Sequence, residues 1–224
     1  MAAGVKSRVE QPELVEKRRG QIVAAAIELF GRHGYHPTTI RDIATRANVS
    51  IGLIYQYVED KEDVLYLALI AVLDAYKREI PTALEGIEHP LERFCAAARA
   101  YTSVIDANTQ SIELAYRETK SLRRERRATI KQLESETNEL IAACIRDCMA
   151  ANLFRDINVD LMTYQIVMLA HTWALKSWHF GPRMSLETYL DDGLDILLNS
   201  VLTPQGKRGF QRLTDNKRGK GGTP

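Results

Sequence analysis

Apolar residues along this chain recur at spacings of three and four and almost nowhere alternate with polar ones, so the pattern predicts helices throughout and no sheet. Ile22, Ala25, Ala26, Leu29 and Phe30 share one face of a first helix over residues 14–33, which Gly34 and Pro37 bring to an end. Thr39, with Asp42 three residues on, starts a short second helix over 40–47. Asn48, Val49 and Ser50 make a turn; Ser50 caps a third helix over 51–57, and Asp60 caps a fourth over 61–80 that Pro81 closes. Further helical patterns cover 91–108, 111–119, 124–151, 159–180 and 185–201, punctuated by Gly86, Pro90, Gly181 and Pro182. The leading arm, residues 1–13, and the Gly-rich tail, residues 204–224, hold too little apolar surface to offset the entropy of ordering and are expected to be disordered.

Two short helices joined by a three-residue turn form a wedge that fits a DNA major groove about 12 Å wide. Ile40, Ile43, Ala44, Val49 and Ile54 supply its inward face, and the small Ala44 permits the steep crossing. What is left faces outward and sorts by chemistry. Thr39, Tyr55, Tyr57 and Lys61 offer hydroxyls or an ammonium suited to phosphate oxygens, as does Ser50 at the helix start. Arg41, Ile51, Gly52, Leu53 and Gln56 are placed to reach base edges: Arg suits guanine, Gln suits adenine, and the aliphatic chains suit a thymine methyl. Lys17, Arg18 and Arg19, early in the first helix, can clamp the flanking backbone.

The run QIVAAAIELFGRHGYHPTTIRDIATRANVSIGLIYQYVEDKEDVL resembles the N-terminal domain of TetR-family regulators, whose usual pattern is I-x-x-A-A-x-x-L-F, Gly-Tyr, T-x-R-D-I-A, V-S-x-G-x-x-Y-x-Y-F and a K-E-D-L close. It departs at Val58, where Phe is common, and at Leu53, where a polar residue is frequent, which leaves Leu53 an apolar contact. The resemblance implies an all-α protein with a three-helix helix-turn-helix domain at 14–60 and a larger helical bundle at 61–203 for ligand binding and dimerisation. It further implies a dimer on palindromic operator double-stranded DNA, released by a small-molecule effector. Control by a protein partner or a corepressor instead of an inducer is the alternative.

In the second domain the pattern alone offers candidates. Leu186, Tyr189, Leu190, Leu194, Leu197 and Val201, preceded by Trp173, form a stripe that is the best candidate for a homodimer interface, the alternative being packing within one subunit. Phe94, Tyr101, Ile105, Tyr116, Cys144, Met168, His171 and Trp178 are candidates for an effector pocket, though each type is commonly plain core. In RETKSLRRERR, Arg117, Arg123 and Arg124 are either a solvated helix face or the anchor of an anionic effector such as the phosphates of an acyl-CoA. The segment order here is similar to that of TetR-like regulators of fatty-acid, sterol-fragment or aromatic-acid breakdown, which points to an acyl-CoA or a hydrophobic acid.

Charge changes the picture only when divided along the 224 residues. The net formal charge is +1, yet residues 1–57 carry eight Lys/Arg against five Asp/Glu, residues 58–203 carry sixteen against twenty-three, and residues 204–224 carry six against one. Basic ends around an acidic middle attract a polyanion to the N-terminus. No apolar run approaches the roughly 18 residues of a membrane span, and the first twenty residues lack a signal-peptide core, so no membrane partner and a cytoplasmic location are expected. Cys95, Cys144 and Cys148 suit reduced, buried thiols, with no metal. A phosphate-binding Gly loop, a nucleophile elbow and a zinc-protease motif are all missing, so the chain is read as no enzyme, with no cofactor beyond its effector.

Overall fold

The computed structural model of the chain describes residues 5–220, with side chains as far as residue 213. Its regular elements are helices: α1 (Pro12–His33), α2 (Ile40–Arg46), α3 (Ile51–Tyr57), α4 (Lys61–Ala83), α5 (Pro90–Ala107), α6 (Thr109–Glu118), α7 (Arg124–Ala150), α8 (Val159–Leu175), α9 (Ser177–Phe180), α10 (Leu186–Asn199) and α11 (Pro204–Lys220), with a 3-10 turn at Thr119–Ser121. Among the described residues no helix is long and apolar enough to cross a membrane.

The chain divides into two compact units, one of residues 5–74 with Asn108–Leu133, the other of Ala75–Ala107 with residues 134–220. The division therefore falls inside α4 and inside α7, not at the 60/61 boundary that the pattern suggested. In the first unit α6 packs against α1, beside the expected α1, α2 and α3. Ile22, Ala26, Phe30, Ile43, Ile54, Val64 and Leu65 are buried there, and Phe30 meets Tyr35 edge-on at 5.1 Å. In the second unit α5 lies along α8, α10 packs on both, and α11 packs on α5. A Cβ on Gly193 of α10 would stand 2.7 Å from a Leu169 methyl of α8, so the Leu169 side chain packs directly over this glycine.

Three expectations change. Pro81 does not close α4, which runs on to Ala83: a proline forfeits one backbone bond, and in an exposed last turn water can satisfy the freed carbonyl. The predicted helix over 159–180 breaks at Lys176 into α8 and α9. The tail expected to be disordered is helical from Pro204 to Lys220; its last four residues lie outside the described ones. What orders it is an anchor outside its own composition. Thr203 accepts from the Gly206 amide at 3.0 Å and donates to the Asn152 carbonyl at 2.7 Å, while Phe154 and Leu202 form an antiparallel bridge. A Cβ on Gly206 would overlap the Leu153 carbonyl at 2.0 Å, so only glycine lets α11 start there.

The arm is also ordered as far as it is described, with residues 1–4 outside. Val5 is buried, and the Arg8 amide donates to the Gln56 carbonyl at 2.8 Å.

Candidate nucleic-acid interface

Local chemistry builds the wedge. The Thr39 hydroxyl accepts from the Asp42 amide at 3.2 Å while the Asp42 carboxylate takes the Thr39 amide at 2.8 Å, a complete capping box that starts α2. The Thr39 hydroxyl also donates to that carboxylate at 2.7 Å, and this bond first, then the one from the Thr39 amide, hold the Asp42 carboxyl below its usual range. Asn48 turns the chain with φ +54°, the left-handed region that Asn tolerates, and the Val49 amide returns to the Ala44 carbonyl at 3.0 Å. Ser50 then caps α3 through the Leu53 amide at 3.1 Å. Gln21 of α1 donates to the Ala47 carbonyl at 2.8 Å, tying the first helix to the turn, a contact the sequence reading missed because a lone Gln on a polar face carries no signal.

This leaves a surface of Lys17, Thr39, Arg41, Ser50, Ile51, Gly52, Tyr55 and Gln56 exposed together, with Arg18 and Leu53 half-buried. Two of these are large apolar groups held in water, Ile51 at 37% and Tyr55 at 43% exposure. Gly52 has a different oddity. A Cβ there would meet nothing closer than Ser50 Oγ at 4.0 Å, so nothing in the chain requires glycine, although glycine inside a helix costs about 0.5–1 kcal/mol relative to alanine. Its use makes sense if something outside the chain comes close.

Three expected DNA contacts are corrected. Tyr57 is only 2% exposed and belongs to the core, because α3 turns its side chain under the wedge. The Arg19 guanidinium donates to the Tyr57 carbonyl at 3.0 Å and to the Val5 carbonyl at 2.7 Å. The Lys61 ammonium spends all three donors on the carbonyls of Tyr35, His36 and Thr38, at 2.8, 2.9 and 2.8 Å, and sits 4.5 Å above the Tyr35 ring. Burial lowers the Lys61 pKa and, with nearby carboxylates, pushes the Tyr35 phenol up to about 12. These are fold-holding cations, not free ones.

The residues proposed for an effector do not come together. Phe94, Tyr101, Ile105 and Cys144 are buried in the second unit, where Tyr101 stacks on Tyr76 at 4.2 Å and its hydroxyl lies 3.3 Å from His171 Nε2. Burial lowers the His171 pKa to about 4 and raises those of Cys144 and Cys148, so each of these groups is neutral near pH 7. Met168 and Trp178 are on the surface of that unit, Trp178 at 71% exposure. Tyr116, Arg117, Arg123 and Arg124 belong to the other unit and are exposed. Arg123 is also engaged: it pairs with Asp60 and, at 3.1 Å, with Glu62, while its neighbour Arg126 pairs with Asp63 and lies 5.1 Å from the Tyr66 ring centroid. The Asp60-Lys61-Glu62-Asp63 start of α4 is thus the partner of the basic run at the start of α7, a match no local pattern discloses across sixty residues.

The stripe expected to pair two subunits packs inside its own. Trp173, Tyr189, Leu190, Leu194 and Val201 are buried in the single chain, and Leu186 and Leu197 half-buried; Trp173 donates to Asp106 at 2.7 Å and its ring meets Tyr189 at 5.2 Å. Among the described residues of this unit, the large apolar side chains left in water are Leu161, Tyr164 and Met168 along α8, Trp178 on α9 and Ile196 on α10.

Residues 22–67 match the family model of bacterial regulatory proteins, tetR family, and residues 88–199 match the tetracyclin repressor-like C-terminal domain. The chain is 50% identical to the HTH-type transcriptional regulator HbdR of Aromatoleum sp. (strain CIB), over 95% of this chain and 93% of that protein. It is 27% identical to the HTH-type transcriptional repressor KstR2 of Rhodococcus jostii (strain RHA1), over 84% and 92% of the two chains. Its fold is similar to that of a bacterial regulatory protein in the tetR family from Rhodococcus RHA1, with TM-score 0.74, 23% identity and 83% and 97% coverage. It is also similar to that of the ketosteroid transcriptional regulator KstR2 of Mycobacterium tuberculosis, with TM-score 0.67, 23% identity and 89% and 100% coverage.

Proposed function

The chain belongs to the TetR family of bacterial transcriptional regulators, and from that premise we propose that it is a repressor that grips palindromic operator DNA as a homodimer and releases it when a small molecule binds its second unit. The observation that carries the proposal is the outer face of α3. Ile51, Gly52 and Tyr55 are exposed there without a packing partner that requires them, whereas the neighbouring cations Arg19 and Lys61 donate to carbonyls of the chain itself. A helix with this face enters a major groove, Tyr55 meeting a phosphate and Arg41, Ile51 and Gln56 meeting base edges, while Thr39, whose hydroxyl and amide both donate to Asp42, serves to start α2.

One recognition helix reads too few base pairs for specificity, so two copies act together. Their contact is assigned to Leu161, Tyr164 and Met168 of α8 and Ile196 of α10, large apolar side chains left in water on two helices of one unit, the three on α8 sharing a face.

The effector belongs with the Tyr101–His171 pair. A neutral imidazole and a phenol offer hydrogen bonds but no charge, so they suit a carbonyl or hydroxyl and penalise a buried carboxylate. This favours a hydrophobic acid carried as its CoA thioester over the free acid. Because α4 and α7 each run from one unit into the other, a shift of α4 on binding reaches the reading helix through continuous backbone. A coupling of about 1–3 kcal/mol weakens DNA binding roughly 5–150-fold.

The test is fluorescence anisotropy on operator sequences selected by the full-length protein from a random pool. Tyr55→Ala should weaken specific binding at least tenfold, and Gly52→Ala should weaken it while leaving the melting temperature unchanged or higher. Acyl-CoA thioesters should release the DNA where the free acids do not. Unchanged binding by both variants sinks the interface; failure of every thioester and acid to release DNA sinks the effector assignment.

A further inference from the structure

The arm ahead of α1 is an irregular segment with two faces. From Val5 to Glu10 burial alternates residue by residue: Val5 is buried, Ser7 and Val9 half-buried, and Lys6, Arg8 and Glu10 exposed. Four hydrogen bonds fix it in place. The Arg8 amide donates to the Gln56 carbonyl at 2.8 Å, the Ser7 hydroxyl donates to the same carbonyl at 3.2 Å, and the Val9 amide donates to the Ser7 hydroxyl at 3.1 Å. Arg19 donates to the Val5 carbonyl with the same guanidinium that holds the Tyr57 carbonyl. The arm is therefore fastened to the C-terminal end of α3, at the very residue, Gln56, whose side chain faces the groove.

That docking has a cost unless it serves a purpose. Ordering five or six residues loses roughly 1–2 kcal/mol of backbone entropy apiece, and only Val5 is buried in return. What it achieves is the fixed display of Lys6 and Arg8. They sit two residues apart on the outward side, and neither side chain has an ion-pair partner among the described residues. This contrasts with Arg19, Lys61, Arg123 and Arg126, whose charges are all committed within the chain. The third outward residue, Glu10, stands two residues before α1, where a carboxylate suits the positive end of a helix.

We propose that residues 5–9 are a second DNA-contacting element of the reading head, in which Lys6 and Arg8 grip the phosphate backbone of the base pairs flanking each half-site. The arm turns a one-helix reader into a helix plus a strap, lengthening the DNA covered beyond what α3 can reach. The contact is electrostatic and carries affinity and placement; sequence reading stays with α3. The inference rests on the proposed operator binding, and the experiment separates the two.

The wild-type protein and Lys6→Gln/Arg8→Gln are compared on the same selected operator across a range of salt concentrations, with hydroxyl-radical footprints at matched occupancy. Two phosphate contacts per protomer are worth about 1.8 in the slope of log K against log salt, hence about 3.6 for a dimer. The double variant should show a slope shallower by about that amount, the same preferred core sequence, and loss of protection confined to the outer edges of the footprint. Equal melting temperatures for the two proteins show that the fold is intact, and a chain lacking residues 1–9 should reproduce the effect. An unchanged slope and an unchanged footprint in the double variant overturn the strap. If the wild type itself selects no operator, it is the regulator assignment that fails.

Discussion

A single lysine shows how the chain separates holding from reading. Lys61 looks on paper like a phosphate contact, yet its ammonium bridges three carbonyls of the loop between α1 and α2 and lies over the Tyr35 ring. Lys61→Met should therefore lower the unfolding free energy by about 1–3 kcal/mol, the cost of stranding those acceptors, as read by urea denaturation. The salt slope of DNA binding should not move. A changed slope at unchanged stability would return Lys61 to the interface. His171 gives a second test, with a defined sign. Burial lowers its pKa from the ordinary 6.5 to about 4, so the unfolded chain takes up a proton in that interval while the folded one does not. Stability is therefore full above about pH 6.5 and falls by up to about 3 kcal/mol as pH drops to 4. Measured stability profiles of the wild type and His171→Gln should converge at low pH, and parallel profiles would rule this histidine out as their cause.

At the scale of elements, caps decide where the reading head begins and how it is aimed. The Thr39–Asp42 box starts α2, and the Ser50 cap starts α3 directly after the left-handed Asn48. Helices of seven residues do not persist in isolation, so these caps act with the Ile43, Ala44 and Ile54 packing to fix α3 against α1. Thr39→Ala should cost about 1 kcal/mol in a thermal or chemical melt. It should also weaken operator binding, because the start of α2 frays. The ion-pair group at the start of α4 works between elements in the same unit. Asp63 is buried and accepts the Glu59 amide at 2.6 Å, and Arg126 answers it from α7. Breaking such a pair from one side leaves a buried charge, which is why this junction behaves as one piece.

For the whole molecule, the second unit leaves large apolar side chains in water on α8 and α10. Ile196 is 74% exposed, and Leu161, Tyr164 and Met168 follow one face of α8. Ile196→Glu combined with Leu161→Glu should give a folded monomer in sedimentation equilibrium, with operator affinity reduced by at least a hundredfold, because each half-site alone is a weak target. A dimer that survives both changes would move the interface elsewhere. The substituted positions are in water, so loss of fold is not the expected cause of either result.

The helical class, the wedge between residues 39 and 61, its caps and most of its outward residues were legible from the order of residue types alone, because caps, turns and helical periodicity are local. Tyr57, Arg19 and Lys61 were misassigned for the opposite reason: whether a cation faces solvent or a distant carbonyl depends on where the loop at Tyr35 and the arm at Val5 arrive. The stripe on α10 could be seen, but not which neighbour it served, since periodicity gives a face and not a partner. The helix α11 was not legible in a tail poor in apolar residues, because what holds its start is the contact of Thr203 with Asn152 and Gly206. Sequence determined which segments coil and which side chains each coil turns outward; only the packed structure decided which charges are consumed within the chain and which remain for another molecule, because that choice is made by contacts between residues far apart in sequence.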